Sequence, residues 1–212
     1  MKYDFDLEYQ KGAKKKIVIN VLITLGEVAV VILLAFLLTH YGFEVYTITN
    51  QEMNPTLEKD DRILVNKLSY RIGSIKRNDV VVIKQNGTEH NYYSVERVIG
   101  LPGEHVQIKG GKVYIDGEKL DEKYDFPIME NGGLALEEIT LDEDEYFLLC
   151  DNRNNGEDSR NANVGNVLRE NILGKAWVRM NTIEFVGFIS AFDEEDAKSE
   201  TTAEPAKKES TD

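Results

Sequence analysis

Val106-Gln107-Ile108-Lys109-Gly110-Gly111-Lys112-Val113-Tyr114-Ile115 reads as two short strands around a tight turn. Apolar and polar residues alternate on both sides of the glycines, the period of a strand with one buried face. Gly110 and Gly111 both tolerate positive φ, which a two-residue hairpin turn demands. Asp116-Gly117 marks a further tight turn directly after them. On the N-terminal side, Ile63-Leu64-Val65 and Val80-Val81-Val82-Ile83 are short β-branched runs bounded by charged turns. Tyr146-Phe147-Leu148-Leu149 and Ala176-Trp177-Val178 read as buried strands. Residues 41–190 carry no long amphipathic helix and no internal repeat, so they are expected to form one mainly β domain.

Upstream, residues 17–39 are built from Val, Leu, Ile, Ala and Phe, with Asn20, Thr24 and Glu27 as the polar interruptions. A transmembrane helix needs roughly 20 such residues. The run is too long for the apolar region of a cleaved secretory peptide, and no small-x-small cleavage pattern follows it. Lys11, Lys14, Lys15 and Lys16 precede it, and the next Lys or Arg is Lys59. The positive-inside rule then places a leader of residues 1–16 in the cytoplasm and the β domain outside the cell membrane, on a single-pass anchor. For Glu27 two readings compete: a carboxyl packed against a partner helix, or a polar group tolerated because the rest is apolar enough.

A formal net charge of −13 and a pI near 4.8 argue against nucleic acid as a partner, since phosphate binding needs a basic surface. Cys150 is the one cysteine, so no internal disulfide supports the fold. Three histidines at 40, 90 and 105 have no metal-ligand spacing, and neither a metal nor a cofactor is expected. From residue 193 to 212 the composition turns acidic and loses every large apolar residue, which reads as a disordered tail.

Three separated runs carry chemistry. Glu52-Met53-Asn54-Pro55-Thr56-Leu57 is the first, and Glu96-Arg97-Val98-Ile99-Gly100-Leu101-Pro102-Gly103-Glu104 the second. The third is Tyr146 to Arg160, with Cys150-Asp151-Asn152-Arg153 and Gly156-Glu157-Asp158-Ser159-Arg160 inside it. Together, in this order behind a basic flank and an apolar span, they resemble the signature boxes of type I signal peptidases of Gram-positive type (peptidase family S26). These are membrane-anchored serine endopeptidases with a Ser/Lys dyad. The resemblance covers roughly residues 10–190, and implies a single N-terminal transmembrane helix followed by an antiparallel β domain.

The same resemblance implies that the family's nucleophile position is Glu52, its base position Glu96, and its base-orienting serine position Gly156. No catalytic residue is then expected. In the family an apolar setting lowers the lysine pKa so that a neutral amine can accept the serine proton. A residue that orients a base loses its purpose when the base is gone. Met53, Pro55, Arg97, Asp151, Asp158 and Arg160 match positions that build the cleft and pair its charges. The leading glycine of the third box is Cys150 here. It reads either as a small core residue or as a replacement nucleophile, which would want a nearby cation.

The expected function is that of a proteolytically inactive relative, a pseudoenzyme. It would bind extended segments of exported or pilus proteins as an assembly factor, and the resemblance points to sortase-system neighbours. Two alternatives keep it a hydrolase of exported pre-proteins: Glu52 and Glu96 sharing a proton as an acid/base pair, or a peptidase using Cys150.

Overall fold

The computed structural model describes residues 2–86, 91–122 and 124–188. It divides into two compact units that part between Phe43 and Glu44. The first is one helix, α1 (Lys2–Gly42). Within it the stretch Lys15–Gly42 is long and apolar enough to cross a membrane, and residues 15–41 are all exposed. The expected leader is helical from Lys2 onward and continuous with this stretch, and the helix runs past Thr39 to Gly42.

The second unit is built from antiparallel strands. β1 (Phe43–Thr47), β2 (Arg62–Asn66), β3 (Val80–Asn86) and β4 (Asn91–Gly100) come first. β5 (His105–Lys109), β6 (Lys112–Ile115), β7 (Glu118–Lys119) and β8 (Ile139–Thr140) follow. β9 (Glu145–Leu149), β10 (Val167–Leu168), β11 (Ile172–Arg179) and β12 (Glu184–Phe185) complete the set. The larger sheet has the order β1-β2-β11-β3-β4-β9-β10, with β12 on β11, and the smaller sheet has the order β7-β6-β5-β8. The glycine hairpin forms as its pattern predicts: Lys109 pairs with Lys112, and Gly110 and Gly111 take φ of 54° and 72°.

Strand periodicity distributes the core. Val80 and Val82 of β3 join Met53, Leu57, Ile63 and Val65 in one cluster, while Val81 and Ile83 join Val98 and Leu148 in another. Alternate residues of one strand thus feed opposite faces of the larger sheet. A third cluster, with Ile99, Phe147 and Leu149 against Val106, Ile108 and Val113, welds the smaller sheet to the larger. Gly100 sits at that weld, where a Cβ would lie 2.7 Å from both Leu141 and Val106.

One sequence expectation needs adjustment. Ala176-Trp177-Val178 is a strand, but only Ala176 is buried, while Trp177 is 39% exposed and its ring lies tilted 5.9 Å from that of Phe185. A strand turns successive side chains to opposite faces, and this face of β11 is not covered. The acidic tail at residues 193–212 lies outside the described residues.

Candidate functional site

The first box is a turn between β1 and β2. Its apolar members anchor it: Met53 is 1% exposed and Leu57 fully buried, and the Leu57 amide donates to the Met53 carbonyl at 2.9 Å. The Asn54–Pro55 peptide is cis. Anchored by Met53 and Leu57, the turn presents Glu52 to the third box. The Glu52 carbonyl accepts a hydrogen bond from the Asn152 amide at 2.9 Å. Its carboxylate accepts from the Asn50 side-chain amide and, at 3.4 Å, from the Glu157 backbone amide. Glu52 is therefore a half-buried, held side chain rather than a freely solvated loop residue.

Glu96 comes from β4, where it pairs with Val81 of β3. It is fully buried. One carboxyl oxygen accepts from the Ser94 hydroxyl at 2.9 Å and the Gln85 amide at 3.3 Å, and the other has no partner. Ser94 and Glu96 are two residues apart and so share a face of the strand. Burial pushes the Glu96 carboxyl up to about 8; the charges of Asp158 and Glu52 add to the rise, and the Ser94 and Gln85 hydrogen bonds oppose it. At neutral pH Glu96 is chiefly a neutral carboxylic acid.

Gly156 packs between Cys150 of its own box and Glu52 of the first. A Cβ there would lie 2.7 Å from Cys150 Sγ and 3.2 Å from Glu52 Cγ. Cys150 is fully buried, its thiol facing the Glu157 carbonyl at 3.6 Å. Burial pushes that thiol far up, and Glu96, Asp158 and Glu52 push it further while Arg160 opposes them weakly. A thiolate is the nucleophilic form, so the structure favours the small core residue over the replacement nucleophile.

Two ion pairs frame these groups. Arg97 grips Asp151 through two nitrogens at 2.7 and 2.6 Å, with 1% and 0% side-chain exposure. Thr56 donates to the same carboxylate at 2.5 Å, which ties the first box to the second and third. Burial works against the Arg97 charge, but the Asp151 carboxylate outweighs it and holds the guanidinium above its ordinary value. Arg160 grips Asp158 through two contacts of 2.8 Å, and Asp158 also accepts from the Cys150 amide at 3.0 Å.

Other parts of the frame carried no sequence signal. Arg97 lies 5.0 Å from the Tyr124 ring centroid and 5.7 Å from that of Phe126. Arg153 stacks on Phe126 at 3.9 Å and pairs with Glu122. Arg153 stood in the third box without a role, and the two aromatics belong to an irregular acidic segment with no period to read. An open groove runs over the site, lined by Asn50, Glu52, Lys59, Asn154, Gly156 and Glu157 among others. Among the described residues, no cluster of three or more His, Cys, Asp or Glu is arranged to hold a metal ion.

Comparison with known proteins gives the family. The family model described as "Signal peptidase, peptidase S26" matches residues 21–181. The chain is 38% identical to Signal peptidase I T of Bacillus subtilis (strain 168) over 173 residues, which is 78% of this chain and 87% of that protein. It is 34% identical to Probable signal peptidase I-2 of Synechocystis over 176 residues, 81% of this chain and 78% of that one. A crystal structure of a signal peptidase I from Enterococcus faecalis V583 aligns with a TM-score of 0.39 at 27% identity, covering 48% of this chain and 96% of that one. With a family match across three quarters of its length, beginning within the apolar helix, the chain belongs to the signal peptidase I family, peptidase S26, a family of serine endopeptidases.

Proposed function

We propose that this chain is a non-cleaving member of its family. In this reading Glu52 and Glu96 occupy the positions of the nucleophile and the base, and Gly156 that of the residue orienting the base. The groove above them holds extended segments of exported proteins, pilus subunits among them, as an added strand in the service of assembly. The helix α1 keeps the protein at the membrane, with the β domain on the outer side.

The observation that carries this reading is the state of Glu96. A general base must be unprotonated and within reach of the proton it takes. Glu96 is sealed from solvent, and burial pushes it up to about 8. Glu52 offers no hydroxyl, and Cys150 stays a thiol. The rise that the Glu52 charge adds to the Glu96 carboxyl speaks for an acid/base carboxyl pair as the second reading. Against that pair stands the burial of Glu96, which leaves it no contact with the groove.

The test uses the full chain in detergent, incubated with exported pre-proteins. No cleavage is expected from the parent. Cleavage that persists after Glu52→Ala and Cys150→Ala together would overturn the inactive reading and both rescue mechanisms. Binding is read separately, by a photo-crosslinking residue at position 52 and synthetic extended segments of exported proteins. Saturable capture is expected, and an empty trap across such segments counts against the assembly role.

A further inference from the structure

Every polar side chain between Ile17 and Leu38 lies on one line of α1. Asn20, Thr24 and Glu27 are spaced by four and three residues, and Val31, Leu34 and Leu38 continue the alternation. That 4-3-4-3-4 spacing is the seam of a left-handed helix pair, on which side chains repeat every 3.5 residues. Thr24 and Val31 fall on the positions that favour β-branched residues in a parallel two-stranded pair, and Leu34 on the position that favours leucine. All six side chains are exposed on the isolated helix.

We propose that α1 is a membrane helix that pairs, parallel and in register, with α1 of a second copy of this chain along this seam. Polar groups in hydrocarbon are costly and are found facing protein rather than lipid. Copies of one chain enter a membrane with one topology, so their seams meet at equal depth. Asn20 then faces Asn20 of the other copy, and an amide is both donor and acceptor, so the pair is self-complementary. Thr24 donates to its own Asn20 backbone carbonyl at 3.0 Å, which leaves its oxygen free to accept. The pairing withdraws the Glu27 carboxyl from lipid into the same interface. A different membrane partner would need a matching polar line at the same depth, which the second copy supplies by identity.

The test is disulfide crosslinking of the full-length chain in membranes, in a Cys150→Ala background. Single cysteines are placed on the seam as Thr24→Cys or Val31→Cys, and on the opposite side as Leu22→Cys or Leu33→Cys. Seam positions are expected to give a product of twice the chain mass, and the opposite positions little. Adding Asn20→Leu and Glu27→Leu should lower the Val31→Cys product about fivefold, the size of one or two interhelical hydrogen bonds in lipid. Equal crosslinking at all four positions, no product on the seam, or indifference to the two leucines would overturn the proposal. A product of any other mass would place a different protein on the seam and overturn it as well.

Discussion

Gly156 and Cys150 divide one small volume: a Cβ built on Gly156 would stand 2.7 Å from Cys150 Sγ, closer than real atoms approach. On the proposed assignment of family positions, Cys150 stands for a glycine and Gly156 for a serine, and the contact couples the two. The sulfur fills the space that a side chain at position 156 would take. Gly156→Ala is therefore expected to destabilise by about 1–3 kcal/mol through overpacking. In a Cys150→Gly background most of that cost should vanish. Urea unfolding of the four proteins of this double-mutant cycle measures the coupling, and additive effects would show the volume is not shared. On the proposed reading, rebuilding a family-type site calls for Cys150→Gly alongside Glu52→Ser, Glu96→Lys and Gly156→Ser.

Glu96 makes stability depend on pH. The folded carboxyl keeps its proton up to about 8, whereas an unfolded glutamate releases it near a pH of about 4.3. Between those values the unfolded chain has lost the proton that the folded chain still holds. The contribution is fully present below the unfolded value and is lost as pH rises through the folded one, at up to about 1.4 kcal/mol per pH unit. Glu96→Gln removes the titration. Its stability relative to the parent should climb from about pH 5 to about pH 8 and then level off. A gap that stays constant over that range would mean Glu96 titrates normally.

Arg97 and Asp151 are expected to behave as a unit. Asp151→Leu alone strands a buried guanidinium and should lower stability by about 3–5 kcal/mol. Arg97→Met combined with Asp151→Leu should lower it by less than either change alone, because no isolated charge is left behind. Chemical denaturation of the two single variants and the pair decides this, and a double variant worse than both singles would refute it.

Cys150 should be silent toward alkylation. Its thiol is fully buried and held protonated by its surroundings. Iodoacetamide at mildly alkaline pH is expected to label the denatured chain and leave the folded one unmodified, read by mass. Rapid labelling of the folded chain would return Cys150 to the list of candidate nucleophiles.

The local elements were legible in the amino-acid pattern. Val106 to Ile115 announced its hairpin because alternation and two glycines act within ten residues. The apolar run announced its helix because length and composition suffice. The order of the three boxes pointed to the family, and the charge partners Asp151 and Asp158 were legible within it. Tertiary structure alone decided the rest. That Trp177 faces outward depends on which face of β11 is covered, and that Arg97 lies against Tyr124 and Phe126 depends on the path of an irregular segment. The shared volume of Cys150 and Gly156, and the burial that keeps Glu96 protonated, arise where strands and turns distant in sequence converge. Packing distance and desolvation belong to that convergence, since no residue carries them in isolation.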